Sequence, residues 1–176
     1  MPDLVPVLKK DEIAKIVTEL AQKISSDYHG RELILIAVLK GAFVFLSDLI
    51  RLITIPVKVD FIRAASYGSN TSSSGQIQLT KEIEIDIKNK DVLVVEDIVD
   101  TGLTLGHIVD YLKSFEPCSV KVCALLDKIE RREIDLTVDY TGLVVSKGFL
   151  VGYGLDYAED YRNLPGIYDL KLQILE

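Results

Sequence analysis

The residues best equipped for chemistry in this chain of 176 residues crowd into one stretch, Val92-Leu93-Val94-Val95-Glu96-Asp97-Ile98-Val99-Asp100-Thr101-Gly102-Leu103-Thr104-Leu105. Its first four residues are apolar and mostly β-branched, as in a strand buried on both faces of a parallel sheet. Glu96, Asp97 and Asp100 follow at the carboxyl end of that strand, and a helix is expected over residues 105–115. Between them, Thr101-Gly102-Leu103-Thr104 would turn backbone N–H groups outward at a helix N-terminus, which suits a phosphate. Three carboxylates beside a phosphate repel it unless a cation or sugar hydroxyls lie between. The pattern points to a phosphorylated sugar together with a divalent metal ion.

The rest of the chain must hold that stretch in place. Asp11 is a plausible N-cap for a first helix, in which Ile13, Ile16, Val17, Leu20, Ala21 and Ile24 recur at helical spacing until His29-Gly30 ends it. Residues 33–39 form a continuous apolar run, a second central strand that halts at Lys40-Gly41, and 42–52 reads as a helix returning over the sheet. A third strand is expected over 57–64. Residues 66–80 are polar and rich in Ser and Gly, which predicts a mobile loop, either a flap or an ordinary hairpin connection. Ile83, Ile85 and Ile87 alternate with Glu82, Glu84 and Asp86, which predicts a half-exposed strand over 81–88. Further strands are expected at 120–126, within 136–145 and at 149–151. A turn or short helical segment follows at 156–162, then an edge strand at 167–175. Apolar strands alternating with helices give a single α/β domain over residues 1–176, with a mainly parallel central sheet flanked by helices. Ligands of such sheets bind at the carboxyl ends of strands, where Lys40, Glu96 and Lys128 all fall.

Nearly half of the residues are hydrophobic, enough for one good core. The net charge of −7 argues against a non-specific nucleic-acid binder or an anionic-membrane binder, which would need a basic face. Cys118 and Cys123 flank a short apolar strand; alternation puts them on opposite faces, so both read as core thiols of a reducing compartment rather than a disulfide. Residues 1–10 lack the apolar run of a signal peptide. The most apolar stretch, 33–46, is interrupted by Lys40 and is too short for a bilayer. A cytoplasmic protein with no membrane partner is expected.

With these residues in view, the stretch 92–105 closely resembles the phosphoribosyl-diphosphate (PRPP) signature of the type I phosphoribosyltransferases. That signature is an apolar strand, an acid pair, an Asp three residues on, and Thr-Gly-x-Thr. Val38-Leu39-Lys40-Gly41-Ala42, Ser66-Tyr67-Gly68 and Leu126-Asp127-Lys128 narrow the resemblance to the hypoxanthine-guanine branch, as do Phe149-Leu150-Val151-Gly152-Tyr153-Gly154-Leu155-Asp156-Tyr157 and Arg162-Asn163-Leu164. These elements follow in order at about the family's intervals and cover nearly the whole chain. The resemblance implies the type I phosphoribosyltransferase fold, with a small base-binding hood and a flexible lid loop. It also implies Mg²⁺-dependent transfer of a phosphoribosyl group from PRPP to N9 of a 6-oxopurine, giving IMP or GMP and diphosphate.

Roles carry over residue by residue. Asp100, Thr101, Gly102, Leu103 and Thr104 would line the 5′-phosphate pocket, and Asp100 would be the general acid/base at purine N7. Glu96 and Asp97 would face the ribose hydroxyls and the metal ion, which Asp156 would also approach. Lys40, Gly41 and Arg162 would bind diphosphate, with Leu39–Lys40 the peptide that is often cis in the family. Ser66 and Tyr67 would belong to the lid. Lys128 would donate to the 6-oxo group and Phe149 would stack on the purine, with the Leu150 backbone and Asp156 completing the base site. Homodimers or homotetramers are common in the family. One departure concerns the rim of the base site: where the family usually has Pro-Asp and then Lys, Glu or Asn before the stacking Phe, this chain has Ser146-Lys147-Gly148. Two other classes share part of the pattern, an RNA-binding regulator on the same fold and a receiver-like phosphate-binding domain. The acidic balance opposes the first, and the second has no use for the lid or Lys128.

Overall fold

The computed structural model describes residues 3–67, 76–146 and 148–171. In chain order the elements are β1 (Asp3–Leu8), α1 (Lys10–Asp27), β2 (Leu33–Val38), α2 (Phe43–Leu52), β3 (Val57–Tyr67), β4 (Gln76–Lys81) and β5 (Asp91–Val99). They continue with α3 (Leu103–Lys113), β6 (Ser119–Lys128), a 3-10 turn at Ile129–Arg131, β7 (Tyr140–Val145), β8 (Leu150–Val151) and β9 (Ile167–Lys171). The main sheet runs β4-β3-β2-β5-β6-β7. Its strands are parallel except β4, which pairs antiparallel with β3. A second, antiparallel sheet runs β1-β9-β8. The fold is α/β with a mainly parallel central sheet, as the alternating pattern requires.

The central strands divide their side chains between two cores. Leu33, Leu35 and Ala37 of β2, with Leu93 and Val95 of β5, meet α1, α2 and the small sheet. Ile34, Ile36, Val38, Val92 and Val94 meet α3 on the opposite face. Each large aliphatic side chain so buried contributes roughly 1.5–3 kcal/mol, so a continuous apolar run is what a strand between two covered faces requires. α1 buries Ile13, Val17, Leu20, Ala21 and Ile24, the stripe its spacing predicts.

Several expectations need correction. The first helix has Lys9, not Asp11, at its N-cap, and the Glu12 carboxylate accepts the Lys9 N–H at 2.8 Å. Asp11 instead lies in the first turn, where its charge suits the positive end of the helix. The alternating segment 81–88 is not a strand: pairing with β3 stops at Lys81. Beyond it the buried Asp60 carboxylate accepts the N–H groups of Glu84 at 2.6 Å and Ile85 at 3.0 Å. Those amides are taken by a side chain rather than a ladder, while Ile87 enters the second core. The paired strand is β4, in the part of the expected loop that directly precedes Lys81. β9 is not an edge; it lies between β1 and β8, and β1 carries no clear alternation to announce it. Cys123 is buried as expected, but Cys118 precedes β6 and is exposed. Among the described residues no helix is long and apolar enough to cross a membrane.

Candidate active site

At the carboxyl edge of the main sheet one central strand stops short of its neighbour just where the chemistry is concentrated. β2 ends at Val38, whereas β5 continues past Val95, the partner of Ala37, and carries Glu96 and Asp97 beyond β2 while remaining paired with β6. Both side chains fold back on the strand: Asp97 N–H donates to Glu96 Oε1 at 3.1 Å and Ile98 N–H to Asp97 Oδ1 at 2.8 Å. Burial, and then the adjacent Asp97 charge, push the Glu96 carboxyl well above the usual carboxylate range; burial raises Asp97 as well. A half-buried and a buried acid so close are poised for a cation or for hydroxyl donors.

The loop after β5 is organised by its carbonyls. Arg132 Nε donates to the Asp100 carbonyl at 3.1 Å and Glu133 N–H to the Thr101 carbonyl at 2.9 Å. In a trans peptide the N–H points opposite the C=O, so the amides of Thr101 and Gly102 turn away from these partners and toward the cleft they line. Gly102, at φ +85°, is the N-cap of α3. The result is a cleft of about 300 Å³ lined by Glu96, Asp97, Asp100, Thr101, Gly102 and Thr104 together with Leu39 and Gly41. Leu103 departs from the expected set: its side chain is 43% exposed and is not part of this lining.

A second cleft, of about 340 Å³, adjoins the first and shares Gly41, Asp97, Ile98 and Asp100 with it. Lys40, Lys128, Phe149, Leu150, Asp156 and Arg162 line it, so the residues expected for diphosphate and purine converge from β6, the α2 approach and the small sheet. Lys128 closes β6, and its Nζ donates to the Gly148 carbonyl at 3.1 Å. The Phe149 ring is 47% exposed and is braced edge-on by Tyr157 at 5.4 Å. Arg162 pairs with Asp156 at 2.8 Å and donates to the Gly154 carbonyl at 2.7 Å. Glu159 bridges two cations, with Lys40 at 2.8 Å and Arg162 at 3.4 Å. The Leu39–Lys40 peptide is cis. A Cβ on Gly41 would overlap the Asp97 carboxylate, which ties the Lys40-Gly41 loop to the acid pair.

The three expected metal ligands do not form one cage. Among the described residues no three His, Cys, Asp or Glu side chains converge. Glu96 and Asp97 line the first cleft, and Asp97 and Asp156 line the second. One or two carboxylates at a position, completed by ligand phosphate and water, is the usual provision for Mg²⁺, so the donor set fits that ion.

β3 overruns the sheet edge: from Ile62, which pairs with Val38, it continues to Tyr67, about 16 Å at ~3.3 Å per residue. Ser66 and Tyr67 therefore stand beyond the edge and pair with Ile77 and Gln76. The remainder of the expected lid, residues 68–75, lies outside the described residues, as does Lys147 of the rim.

Sequence reasoning missed Arg131 and Arg132. Arg131 Nη1 donates to Asp100 Oδ2 at 3.1 Å, and Arg132 pairs with Asp127 besides holding the loop carbonyl. Their one signal was position, directly after the strand that ends in Lys128.

Comparison with known proteins agrees with this geometry. The phosphoribosyl transferase domain model matches residues 7–158. A hypoxanthine-guanine phosphoribosyltransferase of Aquifex aeolicus is 47% identical over 163 residues, covering 92% of each chain. A crystal structure of a hypoxanthine-guanine phosphoribosyltransferase from Bacillus anthracis superposes with a TM-score of 0.90 at 44% identity, covering 97% of this chain and 99% of that one. A hypoxanthine phosphoribosyltransferase structure from Staphylococcus aureus gives 0.92 at 41% identity, covering 97% and 93%. Sequence, fold and the edge-of-sheet clefts agree: the chain is a transferase of the hypoxanthine-guanine phosphoribosyltransferase family.

Proposed function

We propose that this protein transfers the 5-phosphoribosyl group of PRPP to N9 of a 6-oxopurine, hypoxanthine or guanine, releasing IMP or GMP and diphosphate, with Mg²⁺ as cofactor. The observation that carries the reading is the pair of adjoining clefts that meet at Asp97 and Asp100. One is built for a sugar phosphate and the other for a planar base beside an anion. Relatives named for hypoxanthine and guanine support the choice of acceptor.

In this reading the 5′-phosphate rests on the N–H groups and hydroxyls of Thr101, Gly102 and Thr104, at the positive end of α3. Glu96 and Asp97 accept hydrogen bonds from the ribose diol. Lys40, the Gly41 amide and Arg162 hold the diphosphate, and both cations give up Glu159 to do so. The purine stacks on the exposed face of Phe149, with Lys128 donating to its 6-oxo oxygen and the Leu150 backbone and Asp156 framing the far side. A lysine donor at that point rejects adenine, whose amino group is also a donor. As the C1–oxygen bond to diphosphate breaks, positive charge grows on the ribose, as in glycoside cleavage. The C1–N9 bond forms, and Asp100 takes the proton from N7. Bound Mg²⁺ supplies charge neutralisation for the departing diphosphate. Ser66, Tyr67 and the loop behind them close to keep water from the reacting carbon.

We also read the protein as a cytoplasmic homodimer or homotetramer acting on small molecules, without nucleic-acid or membrane partners. An apolar groove of about 800 Å³ between α1, α2 and the 162–165 segment, beside exposed Phe43 and Leu52, supports self-association. The test is to incubate protein, PRPP and Mg²⁺ with hypoxanthine, guanine, xanthine or adenine in turn and assay nucleotide and diphosphate. Product is expected with hypoxanthine or guanine, none with adenine, and loss of turnover on chelation. Absence of product with every 6-oxopurine overturns the reading.

A further inference from the structure

Lys128 reaches the second cleft from the end of β6 and Phe149 from just before β8, yet both depend on one peptide, Gly148–Phe149. Its carbonyl accepts from Lys128 Nζ at 3.1 Å. Its N–H donates to Asp169 Oδ1 at 3.1 Å. Asp169 lies in β9, opposite Leu150 of β8, and its side chain is only 16% exposed. It also fills the space that a side chain at position 148 would need: a Cβ on Gly148 would come within 2.8–3.0 Å of its three carboxyl atoms. Gly148 has φ +106°, a conformation that glycine adopts readily and other residues rarely. The Lys171 ammonium beside it, despite the opposing effect of burial, and the Phe149 amide hold the Asp169 carboxyl below the usual range, so it is an anion at neutral pH.

We propose that Asp169 is a positioning residue for the purine. Through the Gly148–Phe149 peptide it orients the Lys128 ammonium and the Phe149 ring, and so sets affinity for the 6-oxopurine. A carboxylate, an amide and an ammonium in line polarise one another, which strengthens both hydrogen bonds. Gly148 suits this arrangement, because a side chain at that position would collide with the Asp169 carboxylate. This inference rests on the proposed function.

The test compares Asp169→Ala with Asp169→Asn, which keeps the acceptor oxygen. Losing one hydrogen bond to a charged acceptor corresponds to roughly a ten- to hundredfold effect. Asp169→Ala is expected to raise KM for hypoxanthine or guanine by about that factor while KM for PRPP stays within about twofold. Asp169→Asn is expected to recover most of the loss. Asp169→Ser gives the same split should the alanine variant fold poorly, with thermal unfolding read alongside for each. An unchanged purine KM overturns the proposal, as does a parallel rise in both KM values accompanied by a lower Tm, which marks a merely structural residue. Wild-type protein inactive with every 6-oxopurine would instead defeat the proposed function and this inference together; an active wild type with an unaffected alanine variant defeats the inference alone.

Discussion

Asp100 Oδ2 accepts from Arg131 Nη1 at 3.1 Å, while its Oδ1 is buried without a partner among the described residues. One oxygen of this carboxylate is thus held by a largely exposed cation, and the carboxylate lines both clefts. A carboxylate so placed can exchange a proton with a base in the adjoining cleft. Asp100→Asn is expected to lower kcat by roughly 10²–10⁴, the usual worth of a general acid or base, with a much smaller loss in PRPP affinity. Steady-state kinetics and direct binding of PRPP check this; equal losses in both would reduce Asp100 to a structural role.

In the proposed reading Lys128, which lines the second cleft, would turn its ammonium to the 6-position of the base. Lys128→Gln keeps a donor but removes the charge and shortens the reach. A hydrogen bond to a charged group is worth about 1.5–3 kcal/mol, so the dissociation constant for IMP or GMP should rise roughly 10- to 150-fold. Calorimetric titration reads it, and unchanged affinity would remove Lys128 from base recognition.

Gly41 sits against the Asp97 carboxylate with no room for a Cβ. Gly41→Ala is expected to displace Asp97 and the Lys40 loop together, at about 1–3 kcal/mol for overpacking. Denaturant unfolding would register the stability loss, and KM for PRPP should rise in parallel. A variant with wild-type kinetics would show that the loop and the acid pair are independent.

Asp60 holds the segment after β4. Desolvation opposes its charge, but the N–H groups of Glu84, Ile85 and Phe61 outweigh it and leave the carboxyl below its ordinary value. A depressed folded pKa contributes stability that is fully present above the unfolded value, about 3.9, and is lost as pH falls through the lower folded value. Wild-type stability should therefore decline below about pH 4, and Asp60→Ala should cost about 1–3 kcal/mol at neutral pH by stranding these amides. An acid limb of identical slope in the alanine variant would rule Asp60 out as a contributor.

The first cleft was legible because its strand, acids and loop are contiguous: burial periodicity placed Val92 to Val95, and the motif placed Glu96, Asp97, Asp100, Thr101, Gly102 and Thr104. Lys40, Lys128, Phe149 and Asp156 were legible through their own short patterns, and the structure brings them to one edge. What escaped depends on partners distant in sequence. The alternation of Ile83, Ile85 and Ile87 reads as a strand until Asp60 takes the intervening amides. Leu103 follows the motif but turns outward on the first turn of α3. Arg131, Arg132 and Asp169 look like ordinary surface charges, and only the folded chain sets the two arginines against Asp100 and Asp169 against Phe149.

The small sheet pairs Asp3 with Lys171 and Leu4 with Leu170, so its outer strand and its middle strand come from opposite extremes of the described chain. A ribosome delivers β2, β5 and the phosphate loop long before it delivers β9. The strand that carries Asp169, and with it the contact that holds the Phe149 amide, is thus the last described element to be made.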